Sequence, residues 1–126
     1  MPGSSSGLEW IVDAHGCAPD ALRDRVRLEA LVGRLVTGLR VRPVGPLRWH
    51  RFPGTGGLTA VRILSESHLT LHTFPEFGSL CLNVFSCRPR RACDWAGLLA
   101  PLGVRPVLRV RSLRRRYGCA KVALTC

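Results

Sequence analysis

The residue types best suited to chemistry fall in the middle of the chain, where two stretches alternate with a period of two. In Leu80–Cys87, Leu80, Leu82 and Val84 share one side of an extended chain, and Cys81, Asn83, Phe85 and Cys87 share the other. In Ser67–Thr73, Leu69 and Leu71 share one side, and His68, Thr70 and His72 the other. If the two stretches pair, one sheet face gathers two imidazoles, two thiols, an amide and an aromatic ring. Such groups move protons and orient polar ligands, so the face suits a catalytic floor or a subunit interface. Each residue also has an ordinary structural explanation. A histidine on a strand is commonly just a hydrogen-bonded polar residue, and a free cysteine a small buried hydrophobe. A shared metal is not expected, because four strand steps set His68 and His72 about 13 Å apart. No cysteine pair or Cys/His cluster has zinc-site spacing either.

The elements that must position these residues are legible on both sides. Leu8–Ala14 is a strand-like run closed by His15-Gly16. Pro19-Asp20 opens a helix whose apolar stripe is Leu28, Leu31, Val32, Leu35 and Leu39, with Gly38 as its expected terminator. Residues 40–52 read as an edge strand broken by Pro43 and Pro46, and 52–57 as a loop. Leu58–Ser65, Ser67–Thr73 and Leu80–Cys87 read as three strands, with a turn over 74–78. A short helix over 94–99, a strand over 104–113 and a possible last strand over 119–124 complete the order β-α-β-β-β-β-α-β. This predicts an α+β two-layer sandwich: a mainly antiparallel sheet with two helices on one face.

With 126 residues, 46% hydrophobic and 21% charged, the chain is expected to form one domain, 8–126, behind a flexible leader, 1–7. So small a domain builds a deep cleft with difficulty, which favours an active site shared between subunits. No apolar run reaches the roughly 18–20 residues that span a bilayer, and the first residues lack the basic and apolar regions of a signal peptide. A cytoplasmic protein with no membrane partner is expected, and its six cysteines are then free thiols. The formal net charge is +11, densest at Arg109–Tyr117. That cluster alternates with apolar residues as an exposed strand would, so nucleic-acid binding is not expected as the main role.

The segment Leu64-Ser-Glu-Ser-His-Leu-Thr-Leu-His-Thr-Phe-Pro-Glu76 resembles the processing-site block of the small bacterial and archaeal S-adenosylmethionine decarboxylase proenzymes. The resemblance continues through Asn83-Val-Phe-Ser-Cys87. Upstream it takes in His50-Arg-Phe52, Gly57-Leu-Thr-Ala-Val61 and the opening Gly7, Asp13 and Cys17, and so covers most of the chain.

This resemblance implies that Ser67 attacks the carbonyl of Glu66 and cuts the chain into 1–66 and 67–126. Ser67 is left as a covalent pyruvoyl group. By the family pattern His72 assists processing, and Thr59 stands where a serine does so too. The pyruvoyl ketone then forms a Schiff base with the substrate amine and takes up the electrons left when carbon dioxide departs. Cys87 matches the acid that returns a proton, since a thiol ordinarily holds one at neutral pH. Glu76 matches a ligand of the ribose hydroxyls, and Phe52 with His72 a pair that sandwiches adenine. Asn83 lies beside this substrate site.

The implied reaction yields decarboxylated S-adenosylmethionine for spermidine synthesis, with a homodimer whose polar sheet faces meet as the working form. Several features depart from the family. Asn83 replaces an aspartate, Glu9 stands where a histidine is common, Arg88-Pro89 follow Cys87 in place of glycine, and the second helix is short. These leave open a relative acting on ornithine or arginine, or a non-catalytic paralogue that binds a partner or an acidic surface.

Overall fold

The computed structural model describes residues 5–91, 93–103 and 106–118. Its elements are β1 (Ser6–His15), α1 (Pro19–Leu22), α2 (Arg25–Leu39), β2 (Arg48–Arg51), β3 (Leu58–Leu64), β4 (Ser67–Phe74), β5 (Ser79–Ser86), α3 (Trp95–Leu99) and β6 (Val107–Arg116). Short 3₁₀ turns cover Pro75–Phe77 and Ala100–Leu102. The six strands form one sheet in the order β2-β3-β4-β5-β1-β6, antiparallel at every step.

The core lies between the helices and one face of this sheet. Its strand side is built from Trp10, Val12, Ala14, Leu58, Ala60, Leu69, Leu71, Leu80, Leu82 and Val84, all at even phase with one another across the ladders. The helix side is the expected stripe of Leu28, Leu31, Val32, Leu35 and Leu39, none of them more than 3% exposed. Burying five such side chains at about 1.5–3 kcal/mol each offsets much of the cost of ordering the helix. A buried polar contact crosses the layers. Thr73 Oγ1 accepts the Leu58 N–H at 2.9 Å and donates to the Leu22 carbonyl at 2.8 Å, tying α1 to the hairpin that carries His72.

The structure redraws several boundaries. The first expected helix is two helices, because Asp24 takes an extended conformation and caps α2 by accepting the Arg27 N–H at 3.1 Å. Helix α2 runs through Gly38 and ends at Arg40, which adopts φ 57 and closes the helix with bonds from its own N–H to Thr37 and from Val41 N–H to Val36. Only Arg48–Arg51 of the stretch 40–52 pairs as a strand, since the prolines leave just an isolated bridge from Pro43 to Leu64. β1 begins at Ser6 and β6 extends to Arg116. The possible last strand, with Cys119 and Cys126, lies outside the described residues.

A side chain in the left-handed region costs roughly 1–2 kcal/mol, a penalty that glycine avoids. Arg40→Gly is therefore expected to stabilise the fold by about 0.5–1 kcal/mol after the added freedom of the unfolded chain is subtracted. Thermal melting would show this as a rise of a few degrees, and an unchanged or lower midpoint would contradict it.

Candidate active site

The β3–β4 connection is a two-residue turn, Ser65–Glu66, with Leu64 paired to Ser67. It is fastened on both sides. The Ser65 N–H donates to the Arg42 carbonyl at 2.8 Å, and the Cys87 N–H donates to the Glu66 carbonyl at 2.8 Å. Ser67 opens β4 and pairs across the ladder with Ser86, the last residue of β5. The Ser67 Oγ is buried and has no hydrogen-bond partner among the described residues. On the other side of β5, Gly7 approaches so closely that a Cβ there would overlap the Ser86 carbonyl oxygen. Cys87 lies just beyond the strand and is exposed, and its carbonyl accepts the Tyr117 hydroxyl at 3.1 Å. Glu66, Ser67 and Cys87 are thus brought together at one end of the sheet.

Thr59, His72, Phe52 and Glu76 gather at the other end. Thr59 Oγ1 and His72 Nδ1 are 3.1 Å apart on adjacent strands. Phe52 and Glu76 line a cleft of about 260 Å³ together with Pro53, Thr55, Thr73 and Phe74. The Phe52 ring meets His50 edge-on at 5.2 Å. Five strand steps separate Ser67 from His72, about 16 Å at ~3.3 Å per residue. The two side chains are also in opposite phase on β4, with Ser67 in step with buried Leu69 and His72 in step with His68. Within one protomer His72 cannot reach Ser67.

The face turned away from the helices carries His68, His72, Cys81, Asn83 and Phe85, as the alternation predicts, and Glu9 and Asp13 of β1 beside them. Phe85 stacks on His68 at 5.6 Å and lies 5.6 Å from the Arg115 guanidinium. Burial pushes the Cys81 thiol up, and a hydrogen bond to the Asp13 carboxylate together with its charge pushes it further the same way. The neutral thiol is therefore the favoured form, and alkylation of Cys81 should begin only above the usual thiol range. Asp13→Asn removes two of the three causes, so the onset is expected to move to lower pH, read by peptide mapping of iodoacetamide adducts across a pH series. An onset that stays in place would mean that burial alone sets it.

The family model for S-adenosylmethionine decarboxylase matches residues 8–101. The chain belongs to this family. It is 35% identical to the S-adenosylmethionine decarboxylase proenzyme of Caldicellulosiruptor saccharolyticus over 95 residues, covering 71% of this chain and 73% of that one. With the proenzyme of the same name from Clostridium tetani it shares 35% over 97 residues, covering 72% and 74%. The crystal structure of the adenosylmethionine decarboxylase from Aquifex aeolicus superposes with a TM-score of 0.69 at 19% identity, over 94% of this chain and 98% of that one, a likeness of fold.

Two of this decarboxylase-family chain's departures touch each other. Asn83 Nδ2 donates to Glu9 Oε2 at 3.0 Å, and Arg115 Nη1 donates to Glu9 Oε1 at 2.6 Å. The Asn83 amide thus lies against a carboxylate from the neighbouring strand. Asn83 lies in the middle of the face, apart from the Phe52–Glu76 cleft. Sequence reasoning missed the arginines around this site. Arg115 and Arg111 hold Glu9 and Asp13, and Arg88 and Arg90 hold Glu66. The alternation of β6 marked an exposed strand, but partners 22 to 106 residues away leave no local signal.

Proposed function

We propose that the chain is a proenzyme that cuts itself between Glu66 and Ser67, and that the mature protein decarboxylates S-adenosylmethionine with a pyruvoyl group made from Ser67. The observation that carries this reading is the Cys87 N–H on the Glu66 carbonyl at 2.8 Å, beside a buried Ser67 hydroxyl with no other bond to break. The amide donor polarises the carbonyl and steadies the oxyanion that forms when Oγ attacks. The Oγ–C bond forms as the C–N bond breaks, giving an ester and a free amine. β-Elimination then releases the Glu66 carboxylate, and one water replaces ammonia to leave the pyruvoyl terminus.

That group supplies an electron sink for the carbanion left by loss of carbon dioxide. The exposed Cys87, at the same end, would return the proton. Glu76 would accept hydrogen bonds from a ribose diol, and Phe52 would offer a flat apolar surface to adenine.

The separation of the two clusters supports a homodimer. A two-fold rotation that lays one outer face on another can bring the Ser67 end of one protomer over the His72 end of its partner. Each site would then draw Ser67, Glu66 and Cys87 from one chain and Thr59, His72, Phe52 and Glu76 from the other. The 260 Å³ cleft is below the ~300–1,000 Å³ of a typical small-molecule site, which also favours completion by a second copy. Exposed Ile63 and Leu113 on the same face give such a contact apolar area to bury. Among the described residues no helix is long and apolar enough to cross a membrane. The cytoplasm is the proposed compartment, and spermidine synthesis the proposed use of the product.

The test is carbon dioxide release from carboxyl-labelled S-adenosylmethionine, run beside ornithine and arginine, on protein whose denatured mass shows fragments 1–66 and 67–126. Release from the first substrate alone is expected. Cut protein that releases it only from ornithine or arginine would overturn the substrate, and uncut protein would overturn the mechanism.

A further inference from the structure

Glu66 is held by more than its backbone. Its Oε2 lies 3.0 Å from Arg88 Nε and 3.5 Å from Arg90 Nη2. Both arginines are anchored in turn on Ser86, the residue directly across the ladder from Ser67. The Arg88 backbone N–H donates to Ser86 Oγ at 3.2 Å, and Arg90 Nε donates to the same oxygen at 3.4 Å. Ser86 is fully buried, so this anchor is part of the packed sheet end. The run from Ser86 to Arg90 therefore grips the acyl side of the scissile bond twice, by the Cys87 N–H on the carbonyl and by two guanidinium groups on the side chain.

Fold stability does not explain this arrangement. The side chains of Arg88, Arg90 and Glu66 are 55%, 24% and 38% exposed, and ion pairs so open to water contribute little to stability. What such contacts can do is restrict the Glu66 rotations that would swing its carbonyl away from the Cys87 amide and from Ser67 Oγ.

Resting on the reading that Ser67 attacks the Glu66 carbonyl, we propose that Arg88 and Arg90 are positioning residues for self-cleavage. They clamp the Glu66 side chain so that its carbonyl stays presented to the nucleophile. The clamp acts before the Oγ–C bond forms, and so governs the rate of ester formation rather than its breakdown.

The experiment follows the cut in full-length chain made by cell-free translation, by denaturing gel and intact mass over time. Arg88→Gln/Arg90→Gln and Glu66→Gln are each expected to slow cleavage about 10- to 100-fold. The triple variant should be no slower than the double, because the effects share one interaction. Arg88→Lys/Arg90→Lys, which keeps the charges, should recover a large part of the rate. Hydroxylamine, which captures an ester as the Glu66 hydroxamate, should accelerate the wild type but leave the double glutamine variant slow. Melting midpoints should stay within a few degrees of wild type, as these side chains are partly exposed. If the double variant melts early, the more exposed Arg88→Gln with Glu66→Gln gives the same cycle.

A double variant that cuts at the wild-type rate, slowing that multiplies in the triple, or full rescue by hydroxylamine would overturn the clamp while leaving self-cleavage intact. A wild-type chain that never cuts would overturn the self-cleavage reading, and the clamp with it.

Discussion

Ser67→Ala is expected to remain a single 126-residue chain, while the wild type yields 1–66 and a 67–126 fragment whose terminus resists Edman degradation. The variant removes the one oxygen able to turn the Glu66–Ser67 amide into an ester, and a peptide bond left to water hydrolyses slowly enough that the cut should fall at least about 10⁴-fold. Decarboxylation should be lost with it, since no pyruvoyl group can form. Stability should move the other way. The Ser67 Oγ is buried without a partner among the described residues, so deleting it removes an unsatisfied polar group that costs about 1–3 kcal/mol. Melting at or above the wild-type midpoint is therefore expected of the inactive chain. Intact mass and a thermal scan check both halves, and cleavage in Ser67→Ala would show that another group does the work.

Mixing two inactive chains should restore one active site. His72→Ala is expected to be uncut or cut at least about 100-fold more slowly, the usual loss when a proton-transfer group goes. In a hybrid dimer of Ser67→Ala with His72→Ala, one site combines the intact Ser67 of one chain with the intact His72 of the other, and the second site lacks both. Co-expression should therefore cut the His72→Ala chain alone, to no more than the fraction that pairs with the Ser67→Ala chain. The prediction rests on the about 16 Å of strand that separates the two residues within a protomer. Mass-tagged subunits report which chain is cut. No rescue, with dimers present by light scattering, would mean that His72 does not serve a partner's Ser67.

The sequence by itself determined the local order and the sorting of faces. The period-two runs Leu80-Leu82-Val84 and Leu69-Leu71 could only bury one side of each strand, so the placement of His68, His72, Cys81 and Asn83 on the other followed from chain geometry. The helical stripe from Leu28 to Leu39 set α2 against that buried side in the same way. The processing block pointed to Ser67 as the expected reacting serine because its residues are contiguous.

Tertiary structure alone decided what meets what. It placed the Cys87 amide on the Glu66 carbonyl, set Glu9 against Asn83 and Arg115, and closed Arg88 and Arg90 on Glu66. It also put Ser67 and His72 at opposite ends of β4, although they are only five residues apart in a motif that reads as one site. Side-chain contacts of this kind depend on strand register and on loops that return from distant positions, and neither leaves a period or a composition in the chain. A strand translates sequence neighbours into spatial distance at ~3.3 Å per step, so residues that stand together in the sequence can need a second molecule to meet.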